Sequence, residues 1–117
     1  MIYAPAVVAL CRSVDVLAVA HITGGGLPGN LSRVLPRHCD AVVHRDAWDV
    51  PHIFTEIQRV GDVADDEMAK VFNLGIGMVA VVSPGDTFRA LDILRGAGIE
   101  SVEIGEVVAG DGNVRLT

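Results

Sequence analysis

The sequence predicts an α/β (α+β) fold: a two-layer sandwich with a mixed sheet of about four to five strands and helices mainly on one face. Three observations predict it. Segments with helical apolar spacing alternate with short β-branched runs, in the order α-β-α-β-α-α-β-α-β-β. A stretch long enough for one short helix separates the first two β-branched runs, so they can pair through a βαβ crossover. The last two flank Gly110-Asp111-Gly112-Asn113, a turn suited to a closing hairpin.

Each element has its own signal. From Ala4 to Val14, the apolar Val7, Val8, Leu10, Cys11 and Val14 fit one buried helical stripe, with Pro5 tolerated in the first turn. VLAVAHI, residues 16–22, is β-branched with little alternation, as in a strand covered on both faces. Leu31, Val34 and Leu35 mark a short helix stopped by Pro36, and Ala41 to His44 reads as a second strand. Pro51 opens a helix whose apolar face is Ile53, Phe54, Ile57 and Val60, with Gly61 as its C-terminal cap. Asp65 caps a further short helix carrying Met68, Val71 and Phe72. GIGMVAVVS, residues 75–83, is the strongest strand. Ser83-Pro84-Gly85-Asp86 starts a helix in which Phe88, Leu91, Leu94 and Ala97 recur at three-residue steps before Gly98. Val102 to Ala109 and Val114 to Thr117 complete the strands. No repeat, low-complexity segment or long linker divides the chain, so its 117 residues read as one domain, 1–117.

Composition narrows the partners. Half the residues are hydrophobic but only 4% are aromatic, so Val, Ile, Leu and Ala must build the core. A mean hydropathy of +0.44 suggests either a Val-rich core or an apolar face made for another domain or subunit. The net charge of -6, with Lys70 the single lysine, argues against nucleic acid or an anionic membrane as partner. No apolar stretch reaches the roughly 20 residues of a membrane span. The start, MIYAPAVVALCRSVDV, lacks the basic segment of a signal peptide, so a cytoplasmic location is expected. Cys11 and Cys39 are expected to be free thiols, buried or half-buried, and no metal site is expected. His38, His44 and His52 have no ligand-spaced partner, and Asp65-Asp66-Glu67 reads as an acidic first helical turn. No serine or cysteine nucleophile pattern is present, and no catalytic residue is identified.

Two stretches stand out. The first is HITGGGLPGN, His21 to Asn30, in which Gly24, Gly26 and Gly29 spell G-x-G-x-x-G between a strand and a helix. Asp46 lies at the distance expected of the ribose-binding acid of a dinucleotide fold. Against that reading, Pro28 sits inside the motif, the following helix is short, and repeated βαβ units are lacking. A P-loop is excluded because no G-K-[ST] occurs. Two readings stay open: a tight corner, and an anion cradle of backbone N–H groups supplemented by His21, Thr23 and Asn30. The second stretch is FNLGIGM, Phe72 to Met78, where Gly75 and Gly77 flank Ile76. They suggest either close approach by a ligand or neighbouring element, or a helix cap followed by tight packing.

Together, AHITGGGLPGNLSRVLP and EMAKVFNLGIGMVAVV, with Trp48-x-x-Pro51 and the tail VEIGEVV, resemble the C-terminal domain of phosphoribosylformylglycinamidine cyclo-ligase. That family is also called aminoimidazole ribonucleotide (AIR) synthetase. The resemblance runs from about Ile2 to the end and implies an AIR synthetase C-terminal-domain-like fold. It implies a purine-biosynthetic enzyme that uses ATP and Mg2+ to activate an amide oxygen of a ribonucleotide and then close its imidazole ring. By motif position, His21, Thr23, Gly24, Gly25, Gly26 and Asn30 would line the substrate cleft, and Asn73, Gly75 and Gly77 would approach it. The family's N-terminal ATP-binding domain has no counterpart in this sequence. The resemblance therefore implies a chain inactive alone, binding no cofactor tightly, whose partners are that domain, the ribonucleotide substrate and, in a homodimer, a second copy. Formylglycinamidine ribonucleotide amidotransferase, selenophosphate synthetase, thiamine-monophosphate kinase and a hydrogenase maturation factor share the fold. The pairing of HITGGG with FNLGIGM favours the cyclo-ligase.

Overall fold

The computed structural model describes residues 3–117. Met1 and Ile2, where the resemblance begins, lie outside the described residues. The elements run α1 (Ala4–Ser13), β1 (Val16–His21), α2 (Gly26–Val34), β2 (Cys39–Val43), α3 (His52–Gly61), α4 (Asp65–Val71), β3 (Met78–Val82), α5 (Thr87–Gly96), β4 (Gly105–Ala109) and β5 (Val114–Leu116). Short 3-10 turns at Arg45–Ala47 and Pro84–Asp86 precede α3 and α5. The α/β class and the element order are borne out, but the five strands divide into a two-stranded sheet and a mixed three-stranded sheet rather than forming one, and the pairing differs from expectation.

β1 pairs with β3, not with β2, and the second sheet has the order β4-β2-β5. The first two strands therefore form no βαβ neighbour pair. β4 and β5 form no hairpin either: both flank β2, antiparallel (Val43↔Gly105) and parallel (Val43↔Leu116) respectively. The physical reason is visible at Asp40 and Gly105. Asp40, 8% exposed, accepts backbone N–H groups of Asp111, Gly112 and Asn113 at 2.8, 3.0 and 2.8 Å, holding the connecting turn astride β2. These bonds, those from Asn113 and Asp111 foremost, with Arg115 nearby, hold the Asp40 carboxyl below the ordinary carboxylate range despite its burial. Gly110 lies against the Asp40 carboxyl where a Cβ would stand, and Gly105 likewise lets β4 close onto the Val42 carbonyl.

The chain forms two compact units. One comprises residues up to Val19 together with Ala80–Glu103. Its core is Leu10, Val14 and Ala90, with Val16, Ala80, Val82, Ile93 and Leu94 packed against them. The buried face of α1 is Ala6 and Leu10, continued by Val14, an i, i+4, i+8 stripe. That places Val8 and Cys11 outward, so Cys11 is exposed where a covered thiol was expected. Leu17 is 62% exposed, so β1 is not covered on both faces. Ser83 does not cap with its side chain; its hydroxyl donates to Asp15 Oδ2 at 3.1 Å.

The other unit comprises Ala20–Val79 and Ile104–Thr117. Its core joins Ala20, Ile22, Leu27, Leu31 and Val43 in one cluster and Met68, Ala69 and Leu74 in another. Two sequence expectations shift here by one residue. Asp65 is the first helical residue of α4 rather than its cap, which is Ala64, and the left-handed C-cap of α3 falls on Asp62 (φ 52°) rather than Gly61. Helix α3 buries no residue fully; Ile53, Ile57 and Val60 remain 62%, 37% and 75% exposed.

Candidate functional site

All nine residues singled out from the two glycine-rich stretches lie in the unit that begins at Ala20. The first stretch forms its helix earlier than expected. α2 starts at Gly26, immediately after Gly25 in the left-handed region (φ 99°), and takes in Pro28 and Gly29. Pro28 stands at the third helical position, where its missing N–H has no helical acceptor to satisfy.

Asn30 organises the loop from inside. Its side chain is buried at 5% exposure, and its Nδ2 donates to the carbonyls of Gly26 (2.8 Å), Thr23 (3.1 Å) and Gly24 (3.4 Å). Its Oδ1 accepts the Thr23 hydroxyl at 3.2 Å. The amide thus replaces a capping side chain: it fixes carbonyls pointing inward, which turns the Thr23-Gly24-Gly25 backbone outward. Thr23, Gly24, Gly25 and His21 are exposed, and Gly24 has open space where a Cβ would stand. Gly26 is the opposite case. It is buried at φ 62°, its N–H donates to Thr23 O at 3.1 Å, and a Cβ there would land on the Ala69 carbonyl, with Phe72 O 2.9 Å away. Gly26 therefore lets α2 rest on the end of α4.

The second stretch is a turn, not the start of a strand, since β3 begins only at Met78. Leu74 (φ 55°) and Gly75 (φ 97°) are both left-handed. The turn is closed by Asn73, whose Oδ1 accepts Gly75 N–H at 2.9 Å and whose carbonyl accepts Ile76 N–H at 3.0 Å. Gly77 O accepts Ile22 N–H at 3.0 Å, which brings the two stretches side by side.

Sequence reasoning gave Trp48 no structural role and Pro51 only that of opening α3, which it does as the N-cap. Trp48 Nε1 donates to Leu74 O at 3.1 Å, and the Pro51 ring fills the space where a Gly75 Cβ would stand, its Cδ 2.5 Å from that position. A cavity of about 160 Å³ opens beside them, its floor including Trp48, Phe54, Met68 and Leu74. The other expected features are placed simply. His38, His44 and His52 are exposed, with His44 Nδ1 3.0 Å from the Thr117 hydroxyl. Asp46 lies exposed in the turn after β2, and because β2 does not neighbour β1 the dinucleotide reading loses its topological premise. Among the described residues no three His, Cys, Asp or Glu side chains converge as a metal site, and no helix is long and apolar enough to cross a membrane.

What the arrangement offers is a wall of exposed backbone, Thr23 to Gly25, beside a clamped turn, Asn73 to Gly77. Such a surface can present N–H groups to an anionic ligand. The comparisons identify the class. The chain belongs to the family of the AIR synthase related protein, C-terminal domain, whose model matches residues 1–116. It is 50% identical over 109 residues to phosphoribosylformylglycinamidine cyclo-ligase of Anaeromyxobacter dehalogenans, covering 93% of this chain and 32% of that protein. It is 46% identical over 111 residues to the same-named protein of Myxococcus xanthus, covering 95% and 32%. The chain thus spans about a third of the curated relatives it matches, and the sequence resemblance to their C-terminal domain holds. In fold it is similar to the hydrogenase maturation protein HypE of E. coli, with TM-score 0.76, 21% identity, and 99% of this chain and 35% of that one covered. Thiamine-monophosphate kinase of Stenotrophomonas maltophilia is similar at TM-score 0.61 and 15% identity, over 85% and 30%.

Proposed function

We propose that this chain is the cleft-lining C-terminal part of an ATP-dependent cyclo-ligase that closes the imidazole ring of formylglycinamidine ribonucleotide to give aminoimidazole ribonucleotide. The observation that carries this reading is 50% identity to a protein of that name across 93% of the chain. The outward backbone of Thr23, Gly24 and Gly25 would meet the ribonucleotide's phosphate, with His21 beside it; Asn30 would act from behind by shaping the loop. Asn73, Gly75 and Gly77 would form the adjoining edge. No group of three carboxylate, histidine or cysteine ligands converges among the described residues, so Mg2+ and the ATP phosphates would be held mainly by the N-terminal ATP-binding domain. ATP supplies the phosphoryl group that activates the amide oxygen; this chain's residues bind, orient and exclude water. The protein works in the cytoplasm. The exposed Ile53, Ile57 and Val60 of α3 support a covered surface in the assembled enzyme, against the ATP-binding domain or a second copy.

The deciding experiment is co-expression with the N-terminal domain of a close relative. ATP-dependent formation of aminoimidazole ribonucleotide is expected from the complex and none from the 117-residue chain alone. Turnover by the isolated chain would overturn its predicted inactivity. A folded but inactive complex would favour the second reading, a non-catalytic module that binds phosphate ligands, which calorimetry with the ribonucleotide would then detect.

A further inference from the structure

We infer that Trp48 and Pro51 are positioning residues, a clamp that sets the shape in which the Asn73–Gly77 turn meets the ribonucleotide; the inference rests on that turn being an edge of the cleft. Leu74 is a buried, branched residue held at φ 55°, a conformation L side chains adopt only when their surroundings impose it. The turn's own bonds, both to Asn73, close it locally but do not fix where it stands. Three contacts from outside do. Trp48 Nε1 donates to Leu74 O at 3.1 Å, the Pro51 ring occupies the Cβ position of Gly75, and Ile22 N–H donates to Gly77 O at 3.0 Å. The donor of the first contact is itself immobilised, because the Trp48 ring packs on both buried clusters of its unit. The third contact belongs to the opening of the first glycine-rich stretch, so the clamp fixes the spacing between the two parts of the wall.

Trp48→Phe keeps an aromatic ring in the clusters and removes the N–H. In the chain itself, amide hydrogen exchange of residues 74–77 should accelerate about tenfold while β2 amides change little, the signature of local rather than global opening. Uniform acceleration across the unit would overturn the clamp. In the enzyme assembled with its ATP-binding domain, KM for the ribonucleotide should rise about fivefold with kcat within about twofold, the pattern of lost binding rather than lost chemistry. Phe54→Leu loosens the same cluster while leaving the Trp48–Leu74 bond and the Pro51 ring on Gly75 in place, and should lower the melting temperature while leaving KM unchanged. An equal KM rise in Phe54→Leu would reduce Trp48 to a packing residue. Pro51→Ala, which frees Gly75 without removing a core ring, should reproduce the exchange and KM effects; normal values in both would also overturn the inference. If the wild-type assembly lacks activity, the functional reading falls and the positioning role with it, while the exchange data still decide whether the clamp exists.

Discussion

Gly26→Ala is the sharpest test of how the binding wall is built. The added Cβ would land on the Ala69 carbonyl and stand 2.9 Å from Phe72 O, where ordinary contacts are 3.4–4 Å. Both obstacles are backbone at the end of α4, so no rotamer change relieves them. The left-handed backbone alone costs a non-glycine residue about 1–2 kcal/mol. Forcing α2 off α4 adds the cost of an overpacked core, roughly 1–3 kcal/mol. The total, about 2–5 kcal/mol, is a large share of the roughly 5–15 kcal/mol that holds an ordinary domain folded. At about 4 °C per kcal/mol it should lower Tm by roughly 8–20 °C. Trp48, the only tryptophan, reports on this unit by fluorescence, and a urea titration gives the free energy directly. Gly24→Ala is the matched control: its Cβ meets nothing within 4 Å, and its stability should change by less than about 0.5 kcal/mol. Equal losses in the two variants, or a Gly26→Ala protein as stable as the parent, would refute the reasoning.

Three further outcomes are expected. Asn30→Ala should cost about 1–3 kcal/mol by chemical denaturation, because carbonyls of the loop lose their donor, and Asn30→Asp should cost more, because a carboxylate offers those carbonyls no N–H. Asp40 titrates below its unfolded value, so its contribution to stability is present above that ordinary value, about pH 3.9, and is lost as pH falls through the folded value. Asp40→Asn should therefore lower Tm at neutral pH, and the gap from the parent should narrow on acidification; a gap that widens would contradict the clamp on the 110–113 turn. Leu10→Ala, at a position only 1% exposed, should cost about 2–5 kcal/mol, read by circular dichroism.

The sequence revealed elements better than their partners. Helical stripes and β-branched runs located every helix and strand, because periodicity is a local property. Pairing is not local: nothing in Ala41–His44 announces that its neighbours lie beyond residue 104, and the carboxylate that decides the matter, Asp40, looks like any surface acid until three amides converge on it. The Cys11 expectation failed for a related reason, since an apolar count cannot tell which edge of a wide stripe turns inward. At the candidate site, glycine density marked the right segments, but it could not separate Gly24, whose side is open, from Gly26, whose side is closed. Trp48 was legible only as part of a family pattern, because the bond that explains it joins residues far apart in the chain.

The placement of β2 between β4 and β5 also governs how the chain comes to be folded. Neither compact unit is continuous: each is assembled from an early and a late segment. β2 emerges from the ribosome long before the strands that will cover its two edges, so its backbone donors and acceptors stay available to any other extended chain in the interval. Non-local pairing of this kind slows folding. Synthesis rate and chaperone supply should therefore affect the yield of this protein more than its final stability would suggest.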